Sequence, residues 1–309
     1  MERSLSALVD PHELKAMSHR SDIAGLTHLT AHVGLIAICA ALVVRLRHAG
    51  LVWWSVPAMA LLGVTLVALF TPLHETTHRT PFRSLWLNRA VGWVTGLVLV
   101  LPPEGFRLFH LAHHRHTQDP HRDPELIGAA PMTRAGYVWR LTGLPYWRSQ
   151  IGLLLRTASG RVREPWVPAA DRWHLVVEAR LFLAAYLGVA VAAVAGHSAW
   201  PVWLYVVPVL LGQPVLRVVL MAEHGGLPQI ADRLVNTRTT RAGRQLAALF
   251  WNANYHAEHH LAPGVPFHAL PRLHARIRGR FGVQADGYAA AHADIRTRSR
   301  ATADTLTGR

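Results

Sequence analysis

Residues 52–70 run for nineteen positions without a charged side chain. At about 1.5 Å rise per residue, a helix of that length covers about 28 Å, close to the hydrocarbon thickness of a bilayer. Inside lipid the backbone must satisfy its own N–H and C=O groups, so such a run is confined to a helix. Trp53 and Trp54 stand at its edge, where amphipathic rings suit the headgroup level. Three more apolar stretches, 26–44, 175–195 and 200–221, are long enough to cross. Glu178 and Arg180 lie near one end of the third span and can snorkel. Pro201, Pro208 and Pro214 predict a kink in the fourth. The block 90–101 has only twelve residues, or about 18 Å of helix, and is too short to cross. The expected fold is therefore all-α and integral to the membrane: four transmembrane helices plus a short re-entrant or interfacial helix.

Composition supports this reading. The chain is 51% hydrophobic and 16% charged, against about a quarter charged in soluble domains, and its apolar residues are blocked rather than scattered. Of the 32 basic residues only Lys15 is a lysine, and the net charge is +14. The arginines flank the apolar blocks, which fits a protein seated in an anionic leaflet better than a nucleic-acid binder. Cys39 is the sole cysteine, which excludes an internal disulfide, a zinc ribbon or an iron–sulfur cluster. The first twenty-one residues are polar and unlike a cleavable signal peptide.

Four spans put both termini on one side. Segments 71–174 and 222–309 carry thirteen and twelve arginines and are expected in the cytoplasm, although Arg45 and Arg47 oppose that orientation. The expected organisation is a cytoplasmic segment 1–25, a membrane domain 26–284 and a mobile tail 285–309.

Three groups stand out among the 21 histidines: His74/His78, His110/His113/His114 and His256/His259/His260, with His224 directly after the last span. Positions i, i+3 and i+4 share a helix face, so each group offers two or three imidazoles to one point. If block 90–101 returns to the side it left, all of these elements emerge on one face of the membrane. Nine imidazoles exceed what one ion needs and suggest two metals; neutral imidazole suits iron, copper, nickel or zinc. Soluble di-iron bundles are rich in carboxylates, whereas here only histidine recurs at ligand spacing. Glu75 and Glu258 should point off the ligand face. His32, His174 and His197 read as structural or interfacial, and His116, His121, His268 and His274 as neighbours of the centre.

A zinc protease is the sharpest rival, because His74-Glu75-x-x-His78 fits a pattern of two zinc ligands around a general base. That reading leaves seven clustered histidines without a task.

The three boxes, their order, the spans between them and the histidine after the last span resemble the membrane-bound fatty acid desaturase and hydroxylase superfamily over residues 26–280. The stretches Phe109-His-Leu-Ala-His-His-Arg-His-Thr-Gln-Asp-Pro120 and Asn254-Tyr-His-Ala-Glu-His-His-Leu-Ala-Pro-Gly-Val-Pro266 look most like bacterial members. Arg79 after the first box, and Glu223-His224 near Gly226-Leu227, lean toward alkane hydroxylases; the second and third boxes have the desaturase form. Carotenoid ketolases and hydroxylases share the same boxes.

The resemblance implies two iron ions held by His74, His78, His110, His113, His114, His224, His256, His259 and His260 under a helical cytoplasmic cap. It implies O2 as co-substrate, a lipid-like substrate attacked at a C–H bond, and a place in a bacterial inner membrane. An alkene results if a second hydrogen is removed, an alcohol if oxygen is returned. The chain has neither ferredoxin cysteines nor a dinucleotide fingerprint, so electrons are expected from an external ferredoxin, rubredoxin or cytochrome with its reductase. Acyl-CoA desaturases carry an asparagine where this chain has Leu220, which leaves Glu223, Asn254 or solvent for a tenth ligand position. Segments 107–123 and 263–271 should cap the centre, and Asp119, Asp123 and Glu258 are candidates to hold ligand N–H groups.

Overall fold

The computed structural model describes residues 8–127, 133–280 and 282–307, with side chains as far as Arg298. Four helical stretches are long and apolar enough to cross a membrane: Asp22–His48, Val52–His78, Ala169–Ala195 and Val202–His224. A short amphipathic helix α1 (Pro11–Met17) precedes them, capped by the Asp10 carboxylate on the N–H groups of His12 and Glu13. The first span is α2 (Asp22–His48), and a tight turn at 49–51 leads into α3 (Val52–Ala68). After a break at Leu69 the second span continues as α4 (Phe70–His78), which carries the first histidine pair. Ile38, Trp53, Trp54, Leu187, Val191 and Val194 all leave large apolar side chains exposed, as lipid-facing surfaces do.

The block expected to dip and return is α5 (Leu85–Leu99), which begins five residues earlier than the sequence predicts. It is followed by α6 (Pro103–His116), and the two axes are bent by 95°. Val100 makes the corner in the left-handed region with φ 57°, and the Leu101 N–H donates to the Gly96 carbonyl at 2.9 Å. Pro102 and Pro103 then forbid continuation of α5 and start α6. The bend turns the second histidine group back toward the first.

Two short helices follow, α7 (Arg134–Leu141) and α8 (Leu144–Ala158), and then the third span, α9 (Arg172–Ala195). The fourth opens with a π-helical turn at Val202–Val206 and continues as α10 (Val207–His224), with Pro214 inside it. The irregularity expected from the prolines is thus concentrated at the start of the span.

Helices α3 and α10 touch backbone to backbone. A Cβ on Gly63 would lie 1.8 Å from the Pro208 carbonyl oxygen, and one on Gly212 would lie 2.2 Å from the Gly63 carbonyl carbon. Small residues allow this closeness in membrane helices. His74 comes eleven residues after Gly63 (74 − 63) and His224 twelve after Gly212 (224 − 212). Two parallel helices in contact at the glycines therefore deliver both histidines to one level.

Beyond the membrane helices, α11 (Arg244–Leu249), α12 (His256–Leu261) and α13 (Leu270–Ile277) form the cap, sealed by Leu261, Val265, Leu270, Leu273 and Ile277. Two-residue strands, β1 (Thr239–Thr240) and β2 (Gln284–Ala285), pair in parallel. From Ala285 onward, where the sequence suggests a mobile tail, the chain forms a strand residue and then α14 (Tyr288–Thr307). The small apolar residues that read as tail composition are its packing face. Ala291 and Ile295 are fully buried, Ala291 packs with Ala222 and Ala285, and Asp294 pairs with the buried Arg238 at 2.7 Å.

Candidate metal centre

Nine histidines converge where α4, α6, α10 and α12 meet. They fall into two groups whose nitrogen atoms lie within 4.8 Å of one another: His74, His78, His110, His114 and His259 in one, and His113, His224, His256 and His260 in the other. Helical spacing explains the division. In α6 the i, i+4 pair His110 and His114 serves the first group, and His113 at i+3 serves the second. In α12 the roles are exchanged: His256 and His260 join the second group and His259 the first. Positions i+3 and i+4 lie to either side of position i, so one helix can face two centres at once.

The spacing suits metal ligation. Nε2 of His110 lies 2.9 Å from Nε2 of both His78 and His114, and His259 Nε2 lies 3.1 Å from that of His114. In the second group His224 Nε2 is 3.2 Å from His113 Nε2 and 3.1 Å from His256 Nε2. For metal–imidazole bonds of about 2.0–2.1 Å, two ligands at right angles stand about 2.9 Å apart. Nε2 atoms of His74 and His260 are buried without any hydrogen-bond partner, which is costly unless something else binds the lone pair. Burial, reinforced by the neighbouring imidazoles, holds His256, His259 and His260 well below the usual imidazole range. They are neutral near pH 7, as metal ligation requires.

Several of the far-side nitrogens are held by oxygen. His113 Nδ1 donates to Asp123 Oδ1 at 2.9 Å, and Asp123 also accepts the N–H groups of Gln118 and Glu125 at 2.8 and 3.0 Å. Burial would raise the Asp123 pKa, but His113 and these N–H groups outweigh it and hold the carboxyl below its ordinary range. His224 Nδ1 faces the Asn236 carbonyl at 3.1 Å, and His260 Nδ1 faces the Thr117 hydroxyl at 3.2 Å. Such partners fix ring orientation and tautomer.

Glu75 points off the ligand face, as its place in the box suggests. Its Oε2 accepts from Thr80 Oγ1 at 2.9 Å and from the Phe267 N–H at 3.1 Å. Its Oε1 stands 3.6 Å from His74 Nδ1 and 3.9 Å from His259 Nδ1, behind both rings. It stands behind the rings, beyond hydrogen-bond distance, rather than above a metal-bound water, which removes the geometric ground for the protease reading.

Two other carboxylates do not hold ligand N–H groups as the sequence suggests. Asp119 pairs with Arg122 at 2.7 Å near the surface. Glu258 turns to the opposite face of α12, where it binds His274 and accepts from Thr239 Oγ1 at 2.6 Å. Near the second group, Glu223 Oε1 lies 3.4 Å from His256 Nδ1, and Asn254 Nδ2 donates to the Thr240 carbonyl at 3.2 Å. His32 is structural: its ring bridges the Thr65 carbonyl and the Trp251 indole N–H, at 2.9 and 3.1 Å.

A cavity of about 1940 Å³ opens beside the second group, with His74, His110, His113, His224 and His256 in its wall. Phe70, Phe106, Phe109, Leu153 and Leu175 supply apolar surface, and Glu125, Arg217 and Glu223 are among the charged residues in the wall. Sequence reasoning missed Glu125 and Arg217. The available signal was a lone arginine inside an apolar span, which by default marks a functional position.

The chain matches the fatty acid desaturase family over residues 51–291. It is 26% identical over 289 residues to the dihydrorhizobitoxine desaturase of Bradyrhizobium elkanii, covering 87% of this chain and 78% of that protein. It is 24% identical over 254 residues to the sn-1 oleoyl-lipid 12-desaturase of Picosynechococcus sp., covering 73% of this chain and 70% of that protein. A shorter match, 25% over 120 residues, covers 38% of this chain and 29% of the Delta(12) fatty acid desaturase of Mortierella isabellina. With the family pattern spanning most of the chain and the histidine groups gathered at one site, the protein belongs to the fatty acid desaturase family and is an oxidoreductase of that family.

Proposed function

We propose that the nine histidines hold two iron ions and that the enzyme uses O2 to remove hydrogen from a C–H bond of a lipid-like substrate seated in the adjoining cavity. The observation that carries this reading is the division of nine imidazoles into groups of five and four that share a cavity wall. When bound, the iron pair supplies the redox chemistry that couples O2 reduction to C–H cleavage. Desaturation consumes one O2, two external electrons and two protons, and releases an alkene and two waters. Hydroxylation of the same carbon is the second reading, supported by Glu223-His224 near Gly226-Leu227.

The residues of this chain do the rest. Asp123, Asn236 and Thr117 orient the imidazoles. The apolar wall holds an unreactive chain against the second group and excludes water, and the cap of α12 and α13 closes the opposite side. Electrons come from an external ferredoxin, rubredoxin or cytochrome, and the arginine-rich face suits an acidic donor. The reading places that face in the cytoplasm of a bacterium, with the chain in the inner membrane.

Protein purified in mild detergent should contain two iron per chain and little zinc. One zinc with peptidase activity would replace this reading. Expression in a lipid-producing host, with mass spectrometry of the extract, separates the outcomes. Loss of two hydrogens marks an alkene, gain of one oxygen an alcohol, and both together a ketone.

A further inference from the structure

Arg217 lies within the fourth membrane span and faces the cavity. An arginine at such a position is costly and calls for a partner. Its guanidinium stands 4.5 Å from the centroid of the Tyr146 ring, a cation–π contact, and the Tyr146 hydroxyl is itself fixed by donating to the Leu99 carbonyl at 2.9 Å. With the amide of the fully buried Gln213 turned oxygen-first, that oxygen accepts from Nε and one Nη at 3.2 Å. Tyr146 and Gln213 hold the group in place without neutralising it, and among the described residues no carboxylate forms an ion pair with Arg217.

Arg140, Arg148, Arg156, Arg298, Glu164 and Glu178 also stand in the cavity wall, but the two carboxylates that act on Arg217 are Glu223 and Glu125. Glu223 is engaged beside His256 at 3.4 Å. Glu125 belongs to the Asp123 loop, with Oε2 3.9 Å from His113 Nδ1. Neither reaches Arg217, but both act on it through space, and they disfavour a doubly charged ligand nearby. Arg217 precedes His224 by seven residues (224 − 217), about 10 Å along the helix.

We propose that Arg217 is the subsite for a substrate carboxylate, making the substrate a carboxylate-bearing amphiphile whose attacked carbons lie within about two helical turns of its anionic head. The proposal rests on the cavity being the substrate site. The planar fork of arginine matches a carboxylate, and the N–H groups not occupied by Gln213 are available to it.

The test is equilibrium binding of octanoate, octan-1-ol and octyl phosphate to the purified full chain in detergent, with iron counted in the same samples. Octanoate should bind about tenfold or more tightly than octan-1-ol, as expected for a charge-assisted pair. Arg217→Met should bring that ratio to about one at unchanged iron content, and Arg217→Lys should weaken octanoate several-fold without affecting octan-1-ol. If the Met variant fails to fold, the Lys variant alone decides. Equal binding of octanoate and octan-1-ol by the native chain, or an unaltered ratio in the folded variants, would overturn the subsite. Octyl phosphate binding more tightly than octanoate would overturn the carboxylate assignment. Lack of iron with an intact octanoate preference would sink the metal reading and leave this one standing, so the two can fail separately.

Discussion

The imidazole of His114 lies flat against that of His260, with ring centroids 4.1 Å apart and planes inclined by 8°. His114 belongs to the group of five and His260 to the group of four. This stack is the closest ring contact between the two groups, and it joins α6 to α12 across 146 positions of sequence (260 − 114). The centre is therefore one construction with shared walls, and damage to either helix should be felt by both groups.

Alanine at His113 or His259 should abolish turnover and lower the iron content. Each is the i+3 residue that its helix sends to the other helix's group, so metal analysis should reveal losses in opposite groups. Alanine at His197 should do neither, because that residue is exposed in the short turn at the far ends of the spans. Full activity in the first two variants would remove the site assignment.

Asp123 fixes one ring and two backbone N–H groups through two oxygens. Asp123→Ala should lower metal affinity by about 10–100-fold, measured by competition with a chelator. Asp123→Asn keeps an acceptor for His113 Nδ1–H and should lose less. Equal retention of metal in both variants would mean that the carboxylate does not hold the ligand.

The Gly63–Gly212 contact positions His74 and His224 from a distance. Valine at either glycine meets backbone rather than a side chain that can swing away. The expected cost is about 1–3 kcal/mol or more, read as a lower unfolding temperature in detergent, with metal lost in parallel. A variant as stable and as metal-rich as the parent would show that α3 and α10 do not set the level of the two histidines.

Helix α14 should loosen in acid. Burial raises the Asp294 pKa, but Arg298 and Arg238, each at 2.7 Å, outweigh it and hold the carboxyl below its ordinary value of 3.8. Depression in the folded state means that the stabilisation is complete above 3.8 and is lost as pH falls through the lower folded value. The gap in unfolding temperature between the parent and Asp294→Asn should be widest near neutrality and close below that value. A gap that does not change with pH would remove the ion pair from the account.

Topology can be tested with single cysteines at Arg83, Arg122, His197 and Arg241 in a Cys39→Ser background. All four parent residues are exposed. On intact cells a membrane-impermeant thiol reagent should label only position 197, and the others should label once the membrane is opened. Opposite sides for positions 83 and 122 would contradict the bend between α5 and α6.

Much of this protein is written in local sequence. A run of nineteen uncharged residues can only be a helix in lipid, and a twelve-residue block cannot cross, so the spans and the bent pair are legible in the sequence. Spacing of i, i+3 and i+4 is likewise a property of one helix, which is why all nine clustered histidines could be named. Tertiary structure alone decided which ring joined which group, because that depends on how α6 and α12 are rotated toward each other. It also decided that Asp123 reaches a ligand while Glu258 turns away to His274, and that the alanines after Ala285 pack as a helix. Arg217 carried only the signal of its depth in the span; whether its charge was already paired depended on Gln213 and Glu223 of its own helix and on Tyr146 and Glu125, which the fold brings to it from two other segments. Periodicity acts within one element, whereas the contacts that assign partners form between elements distant in sequence.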